Sequence, residues 1–497
     1  MLCCALLKLS IIKLIFMLNI KPSIRPSLIL QTLALLCFVA LVTFLPSLQF
    51  MPKTIIWFND SQRLLELLLL SLVLLDAVFN GFFIKEYLLP VPKNLRYAFF
   101  VLLLLACISA ALAQSPRHAI IEISVFAGLC YLSLLVVELY YDNKQLFIKQ
   151  ITVAIWASIL LYMLSFYTGY ITATIFKTPL QWPFPFTGFS NIRSFNQYQL
   201  WTLGLIGLPL LAFDLKKNMR ICLHIAQIAW WVLLFYSASR GALLAWLAGI
   251  LLTAIIYKKT AWPFLRLQFV NIALGFCNYY LLFNVIPALN ESTLVTSAII
   301  RGTAYDRLGL WQKALALIYE SPIFGVGPMH YAWYNSSNAH PHNSVLQLAA
   351  EWGLPALLII LSIAGHGIYC WIKKINVARL QAATKLDCNL VIILFFTICI
   401  NAAYSLVDGV IVTPISQVLM FTMIGLMIGH YCDGQQHTKD KKLIKNKYQF
   451  RPIFAAIVLA VMVWSTLPEL IKGLSGDDKG FSIGYAAAGP RFWHETK

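Results

Sequence analysis

The sequence predicts an all-α protein, a polytopic bundle of about 12 to 13 membrane-spanning helices. Of its 497 residues, 60% are hydrophobic and only 12% are charged, which is more apolar surface than a soluble domain can bury. The apolar stretches are about 17 residues or longer, which is too long and too little alternating for the strands of a membrane barrel. Lysines and arginines lie mainly between these stretches, as is typical of helical membrane proteins.

The distribution of basic residues predicts the orientation of the bundle. Most of the 38 lysines and arginines fall in segments on one side of the predicted spans, the side that positive charge assigns to the cytoplasm. The densest basic run, at 439–447, fits this topology signal and could also bind anionic headgroups. The net charge of +18 therefore does not indicate nucleic-acid binding, and we expect a protein of the bacterial inner membrane.

The predicted organisation has five parts. They are a cytoplasmic segment at 1–27, a transmembrane bundle at 28–283, a large and partly helical periplasmic loop at 284–352, transmembrane helices at 353–467 and a periplasmic tail at 468–497. Chemistry is expected in the outer segments, because binding and catalytic residues concentrate in connections that a rigid scaffold positions.

Two helices are predicted inside the large loop. The first shows apolar residues at helical spacing, ended by Pro322 and two glycines, and we expect it to lie at the membrane surface. Its apolar residues are Leu308, Trp311, Leu315 and Ile318. The second runs from Asn343 to Trp352 and ends at Gly353.

His342 lies at the start of the second predicted helix and is the first candidate for catalysis. The positive end of the helix dipole disfavours an imidazolium ion, and a neutral imidazole can accept a proton from an alcohol. The alternative is that His342 only caps the helix or contacts lipid headgroups. His330 and His340 lie nearby in sequence, but three histidines without an acidic or cysteine partner make a poor zinc site, and we predict no metal.

Three arginines are candidates for binding an anion. Arg240 lies on a tight hairpin between two spans, Arg307 begins the predicted surface helix, and Arg193 precedes another span. A guanidinium group suits bidentate contacts to phosphate oxygens, so such arginines can hold a pyrophosphate and offset its charge as it leaves. The alternative for each is an ordinary contact with lipid headgroups.

Together these motifs resemble the superfamily of O-antigen ligases and O-antigen polymerases, which includes bacterial O-oligosaccharyltransferases that glycosylate pilins and other proteins. The resemblance covers about residues 185 to 430. Four pieces carry it: Asn191 to Gln197, Ser239-Arg240-Gly241, Arg307 with Trp311 and the 322–327 segment, and His342-Asn343 with Gly353.

The resemblance implies glycan transfer from an undecaprenyl-pyrophosphate-linked donor to an acceptor hydroxyl at the periplasmic face, without nucleotide sugar, cofactor or metal. The implied acceptor is lipid A core or a Ser or Thr of a pilin-like protein. His342 would activate the hydroxyl, and Arg240 and Arg307 would hold the pyrophosphate. The residues expected to contact the substrates are Arg193, Asn343, His340 and Trp311.

Three alternatives remain open. A polymerase of glycan repeat units is the nearest one. A metal-dependent transferase would have an acidic motif in the first outer loop, but the only acidic residue in that loop is Asp60. A glycolipid flippase or transporter, which is not an enzyme, would need a polar central cavity rather than polar residues crowded in an outer loop.

Overall fold

The computed structural model describes residues 26–47, 58–80, 93–178, 180, 186, 188–189, 191–289, 305–334, 338–433 and 450–474. Most of these residues are helical and none of them is in a strand, which confirms the predicted all-α class. The basic run at 439–447, the tail beyond residue 474 and nearly all of the segment at 1–27 lie outside the described residues.

The chain folds into a series of helices joined mostly by short connections. They are α1 (Pro26–Val39), α2 (Phe58–Asn80), α3 (Lys93–Leu112), α4 (Pro116–Asp142), α5 (Lys144–Ile175), α6 (Ile192–Leu203), α7 (Leu208–Ala212), α8 (Lys217–Tyr236), α9 (Arg240–Tyr257), α10 (Trp262–Tyr280), α11 (Ile286–Leu289), α12 (Tyr305–Glu320), α13 (Ser344–Trp352), α14 (Leu354–Lys374), α15 (Val377–Gln381), α16 (Lys385–Tyr404), α17 (Pro414–Asp433) and α18 (Phe450–Leu474).

Among the described residues, nine helical stretches are long and apolar enough to cross a membrane. One of them, Arg240–Leu289, is 50 residues long and contains two spans that the hydropathy of the sequence predicts, at 241–257 and 264–283. The sequence also predicts a span at 198–213, which the structure divides, because α6 ends at Leu203 and α7 starts next to Pro209, whose ring nitrogen cannot donate a backbone hydrogen bond. The protein is a multi-pass membrane protein, while the number of spans stays a prediction.

Small residues let the long helices approach one another closely. A Cβ on Gly249 of α9 would lie 2.2 Å from Ile400 Cγ2 of α16. A Cβ on Gly425 of α17 would lie 2.7 Å from the Ser133 carbonyl oxygen of α4. Such contacts replace the hydrophobic effect as the cause of helix association in lipid, where backbone proximity strengthens dispersion contacts.

Helix α12 is the first predicted helix of the long connection, and it is amphipathic. Ala314 and Leu317 are fully buried against α13 and the segment that follows α12. The opposite edge exposes Leu308, Leu315 and Tyr319, the last with 89% of its surface accessible. This apolar edge agrees with the prediction of a helix at the membrane surface.

The segment after α12 is bound to the end of α13, which fixes the long connection. Gly325 and Gly353 have φ angles of 66° and 84°. A side chain on Gly325 would lie 2.5 Å from the Glu351 carbonyl carbon, so only glycine fits where the two backbones meet. Leu354 N–H donates to the Pro322 carbonyl at 2.9 Å. Helix α13, whose first turn follows His342, is therefore anchored at its C-terminal end.

Candidate active site

His342 lies between a carboxylate and a guanidinium group, which contact opposite sides of its ring. Its Nδ1 is 3.2 Å from Asp408 Oδ1, and its Nε2 is 2.9 Å from Arg193 Nη1. The ring is buried, with 6% of the residue surface accessible. Asp408 lies in the connection between α16 and α17, and Arg193 lies in the first turn of α6, so three separate parts of the chain meet at this histidine.

These two contacts define the tautomer of His342. The Arg193 guanidinium can only donate, so Nε2 accepts its hydrogen bond with its lone pair. The single ring proton of a neutral imidazole is then on Nδ1, which donates to the Asp408 carboxylate. A carboxylate that accepts a hydrogen bond from Nδ1 keeps the ring proton there and leaves Nε2 as the basic nitrogen. General-base catalysis by histidine requires this arrangement.

The backbone around His342 is strained and held from several sides. His342 has φ 51°, in the left-handed region that costs a residue other than glycine about 1 kcal/mol or more. Its backbone N–H donates to His340 Nδ1 at 3.3 Å. The indole of Trp311 donates to the carbonyl of the preceding Pro341 at 3.1 Å. Strain at one residue that its neighbours hold in place is a feature of functional sites.

Asn343, not His342, caps helix α13. The Asn343 side-chain oxygen accepts from the N–H groups of Val345 and Leu346, each at 3.0 Å. The capping alternative for His342 is therefore wrong, since its ring contacts Asp408 and Arg193 instead. The predicted substrate contact of Asn343 stays a prediction, and its side-chain oxygen is engaged within the helix.

Asp408 is a buried carboxylate that sequence reasoning did not single out. Burial by itself raises the pKa of this group, but the hydrogen bond with His342, with a smaller effect of the hydrogen bond with Tyr404, helps to hold the pKa well below its usual range. The Gly409 N–H also donates to Asp408 Oδ1 at 2.7 Å. The carboxylate is thus ionised wherever His342 needs a negative partner.

The connection that contains Asp408 is hydrogen-bonded to side chains of two helices, α6 and α2. Gln197 of α6 donates to Asp408 Oδ1 at 3.3 Å and accepts from the Thr413 hydroxyl. Arg63 of α2 donates to the Val412 carbonyl at 2.8 Å. Because Gln197 and Arg193 share one turn and a half of α6, the same helix positions both partners of His342.

Arg193 and Arg240 lie close enough to Arg307 to affect its ionisation. Burial lowers the pKa of Arg307, the positive charges of Arg193 and Arg240 lower it further, and Asp408 opposes them. Arg307 is half-buried and Arg240 is exposed at the start of α9. Three guanidinium groups near one carboxylate leave an excess of positive charge, which favours a ligand with several negative charges.

The remaining predicted residues lie around the site with other contacts. The His340 ring packs against the His342 ring, with 4.1 Å between centroids. His330 lies elsewhere, since its ring accepts from the Ser115 N–H and contacts the Pro328 carbonyl. Among the described residues, no three His, Cys, Asp or Glu side chains form a group that could hold a metal ion. Asp60, the residue of the metal-dependent alternative, is fully buried in the first turn of α2.

Part of the chain is similar to a known protein family. Residues 225–361 match the family model described as O-antigen ligase. This range contains Arg240, Arg307 and His342, whereas Arg193 and Asp408 lie outside it. A comparison with curated proteins found no match.

Proposed function

We propose that this protein transfers a glycan from an undecaprenyl-pyrophosphate-linked donor to an acceptor hydroxyl. The match of residues 225–361 to the family model described as O-antigen ligase, the superfamily that the motifs predicted, supports this proposal. The proposed acceptor is lipid A core or a Ser or Thr of a pilin-like protein, at the periplasmic face of the inner membrane. The observation that carries the proposal is the buried His342, held by Asp408 on one ring nitrogen and facing an arginine on the other.

The reaction follows from these groups. His342 Nε2 takes the proton of the acceptor hydroxyl as the hydroxyl oxygen attacks the anomeric carbon of the glycan. The bond between that carbon and the pyrophosphate oxygen breaks, and undecaprenyl pyrophosphate leaves with the bonding electron pair. Asp408 stabilises the imidazolium that forms, and the proton then passes to solvent. The arginines hold the leaving pyrophosphate.

The arginines supply fixed positive charge at the leaving group. Arg240 lies close enough to Arg307 for its charge to lower the pKa of Arg307, and Arg307 lies in the first turn of the helix whose apolar edge is exposed. A lipid-linked pyrophosphate bound at this depth would have its phosphates at the arginines while its chain stays in the bilayer. This design needs no metal, because guanidinium groups can neutralise the developing charge themselves.

Transfer should proceed without a divalent metal. Purified protein is mixed with lipid-linked donor in excess EDTA, and the acceptor is lipid A core, a pilin-like protein or a second lipid-linked glycan. We expect product with one of the first two acceptors at undiminished rate. Product only with the lipid-linked glycan would make the protein a polymerase. Activity that EDTA removes and Mg²⁺ or Mn²⁺ restores would support the metal-dependent alternative instead.

Arg240→Lys and Arg307→Lys should each lower transfer by about 10² to 10³ although both keep the charge. An ammonium group cannot reproduce the planar pair of donors that a guanidinium offers to phosphate. Transfer is measured at equal membrane levels of each variant. The control is Arg266→Lys, which changes an arginine of α10 outside the site. Wild-type rates in both site variants would reduce Arg240 and Arg307 to headgroup contacts.

A further inference from the structure

The basic nitrogen of His342 is already occupied in the structure. Arg193 Nη1 donates to Nε2 at 2.9 Å, and a ring nitrogen has only one lone pair in the ring plane. An acceptor hydroxyl must donate to the same lone pair before its proton can move. The geometry seen here is therefore incompatible with proton abstraction until the Arg193 side chain moves.

The Arg193 side chain can move while its backbone stays in place. The first turn of α6 is capped by Asn191, whose side chain accepts from the Ser194 N–H at 2.9 Å. Phe195 is fully buried and stacks on Tyr162, with 5.0 Å between ring centroids. The Arg193 side chain is only partly buried between these fixed points. Among the described residues it forms no ion pair with a carboxylate.

An anion is the ligand that would draw Arg193 away from His342. Its guanidinium lies near the like charge of Arg307, which Arg240 also approaches, and its present partner is a ring nitrogen without negative charge. The present bond joins a charged donor to a neutral acceptor, whereas a phosphate oxygen is itself charged and the phosphate can accept from two donors of one guanidinium, which makes that contact stronger. A pyrophosphate placed among the three arginines would therefore compete well for Arg193.

We propose that Arg193 is a gate that covers His342 Nε2 until the pyrophosphate of the donor takes up its guanidinium. The inference rests on the proposed function, since it assigns the order of events at that site. Donor binding uncovers the base, so the enzyme activates a hydroxyl only when a glycan is present to receive it. Arg193 then acts twice, first on His342 and then on the leaving group.

The exposure of Nε2 can be measured without any glycan transfer. Diethyl pyrocarbonate acylates unprotonated histidine nitrogens, and peptide mass spectrometry reports the rate at His342 in the full-length protein. We expect inorganic pyrophosphate to raise this rate by about 10-fold over sodium chloride of equal ionic strength, the factor that corresponds to one charge-assisted hydrogen bond. His366, which is exposed on α14, serves as the internal reference and should not respond.

Two variants test whether the Arg193 side chain itself, and not another conformational change caused by pyrophosphate, controls the acylation rate at His342. Arg193→Met keeps most of the side-chain length without a donor, and Arg193→Ala removes it. Both should react at His342 at the fast rate without pyrophosphate and should gain nothing when it is added. Pyrophosphate that leaves the wild-type rate unchanged or lowers it, or variants as slow as the wild type, would overturn the gate.

Failure of the gate and failure of the proposed function give different results. A gate that fails while His342 variants lose transfer removes only the role of Arg193 in covering Nε2. Transfer that persists without His342 removes the proposed function, whatever the acylation rates are.

Discussion

A His342→Asn variant should fold normally and lose glycan transfer by a factor of about 10² to 10⁴, the usual cost of removing a general base. Asparagine tolerates the left-handed backbone at this position, where φ is 51°. Its amide can still donate to Asp408, so the buried carboxylate keeps a partner. What the variant lacks is a nitrogen that accepts a proton, and the loss of rate therefore measures that function alone.

The measurement compares transfer per molecule at equal membrane levels, with thermal stability as the check on folding. His366→Asn is the matched control, because it makes the same change at an exposed histidine of α14 that is not part of the site. It should keep most of the activity. A stable His342→Asn protein with near wild-type transfer would reduce His342 to a structural residue.

The all-α fold could be predicted from the sequence because lipid offers no hydrogen-bond partners to the backbone. Every backbone polar group must be satisfied within the segment, so a long apolar run becomes a helix. This rule does not give the local detail, as at 198–213, where Gly204 and Pro209 divide an apolar run into two α-helices joined by a 3-10 turn. At 241–283 the two helices that the sequence predicts are present as α9 and α10, and a 3-10 turn that starts at Lys258 separates them.

Only part of the site could be predicted from the sequence, because some of its residues lie far apart along the chain. His342, Arg240 and Arg307 stood out because each has local signals such as a hairpin, a helix start or a glycine stop. Asp408 has none, and it reaches His342 across 66 residues of sequence. A carboxylate in a short connection between two apolar helices is an isolated feature until the fold brings a partner to it.

One local rule could have improved the prediction. Asparagine is among the best N-cap residues, so the pattern Asn343-Ser344 before an apolar helix indicates a cap at Asn343 and places His342 just outside the helix. That placement frees the His342 ring for other contacts. The structure has this arrangement, with Asn343 accepting two backbone hydrogen bonds at the start of α13.

Asp408→Asn should lower transfer by about 10² to 10⁴, because it removes the charge that stabilises the imidazolium and no longer fixes the proton on Nδ1. An amide can turn its NH₂ group toward Nδ1, which shifts the ring proton to Nε2 and removes the base. Transfer is measured from pH 5 to 9 at equal membrane levels. The matched control is Asp387→Asn, which removes a carboxylate paired with Lys144 instead of with His342.

The Asp408→Asn variant should also change how the stability of the folded protein depends on pH, in a direction that follows from the lowered pKa of Asp408. Since the folded protein holds the pKa of Asp408 below its usual value of about 3.9, the ionised carboxylate stabilises the folded state above that pH. The contribution is lost as the pH falls through the lowered pKa of the folded state. The melting temperature of Asp408→Asn should therefore lie below that of the wild type at pH 7, and the difference should shrink as the pH is lowered below 4. A difference that stays constant down to pH 3, together with full transfer at neutral pH, would mean that the Asp408 charge is not coupled to His342.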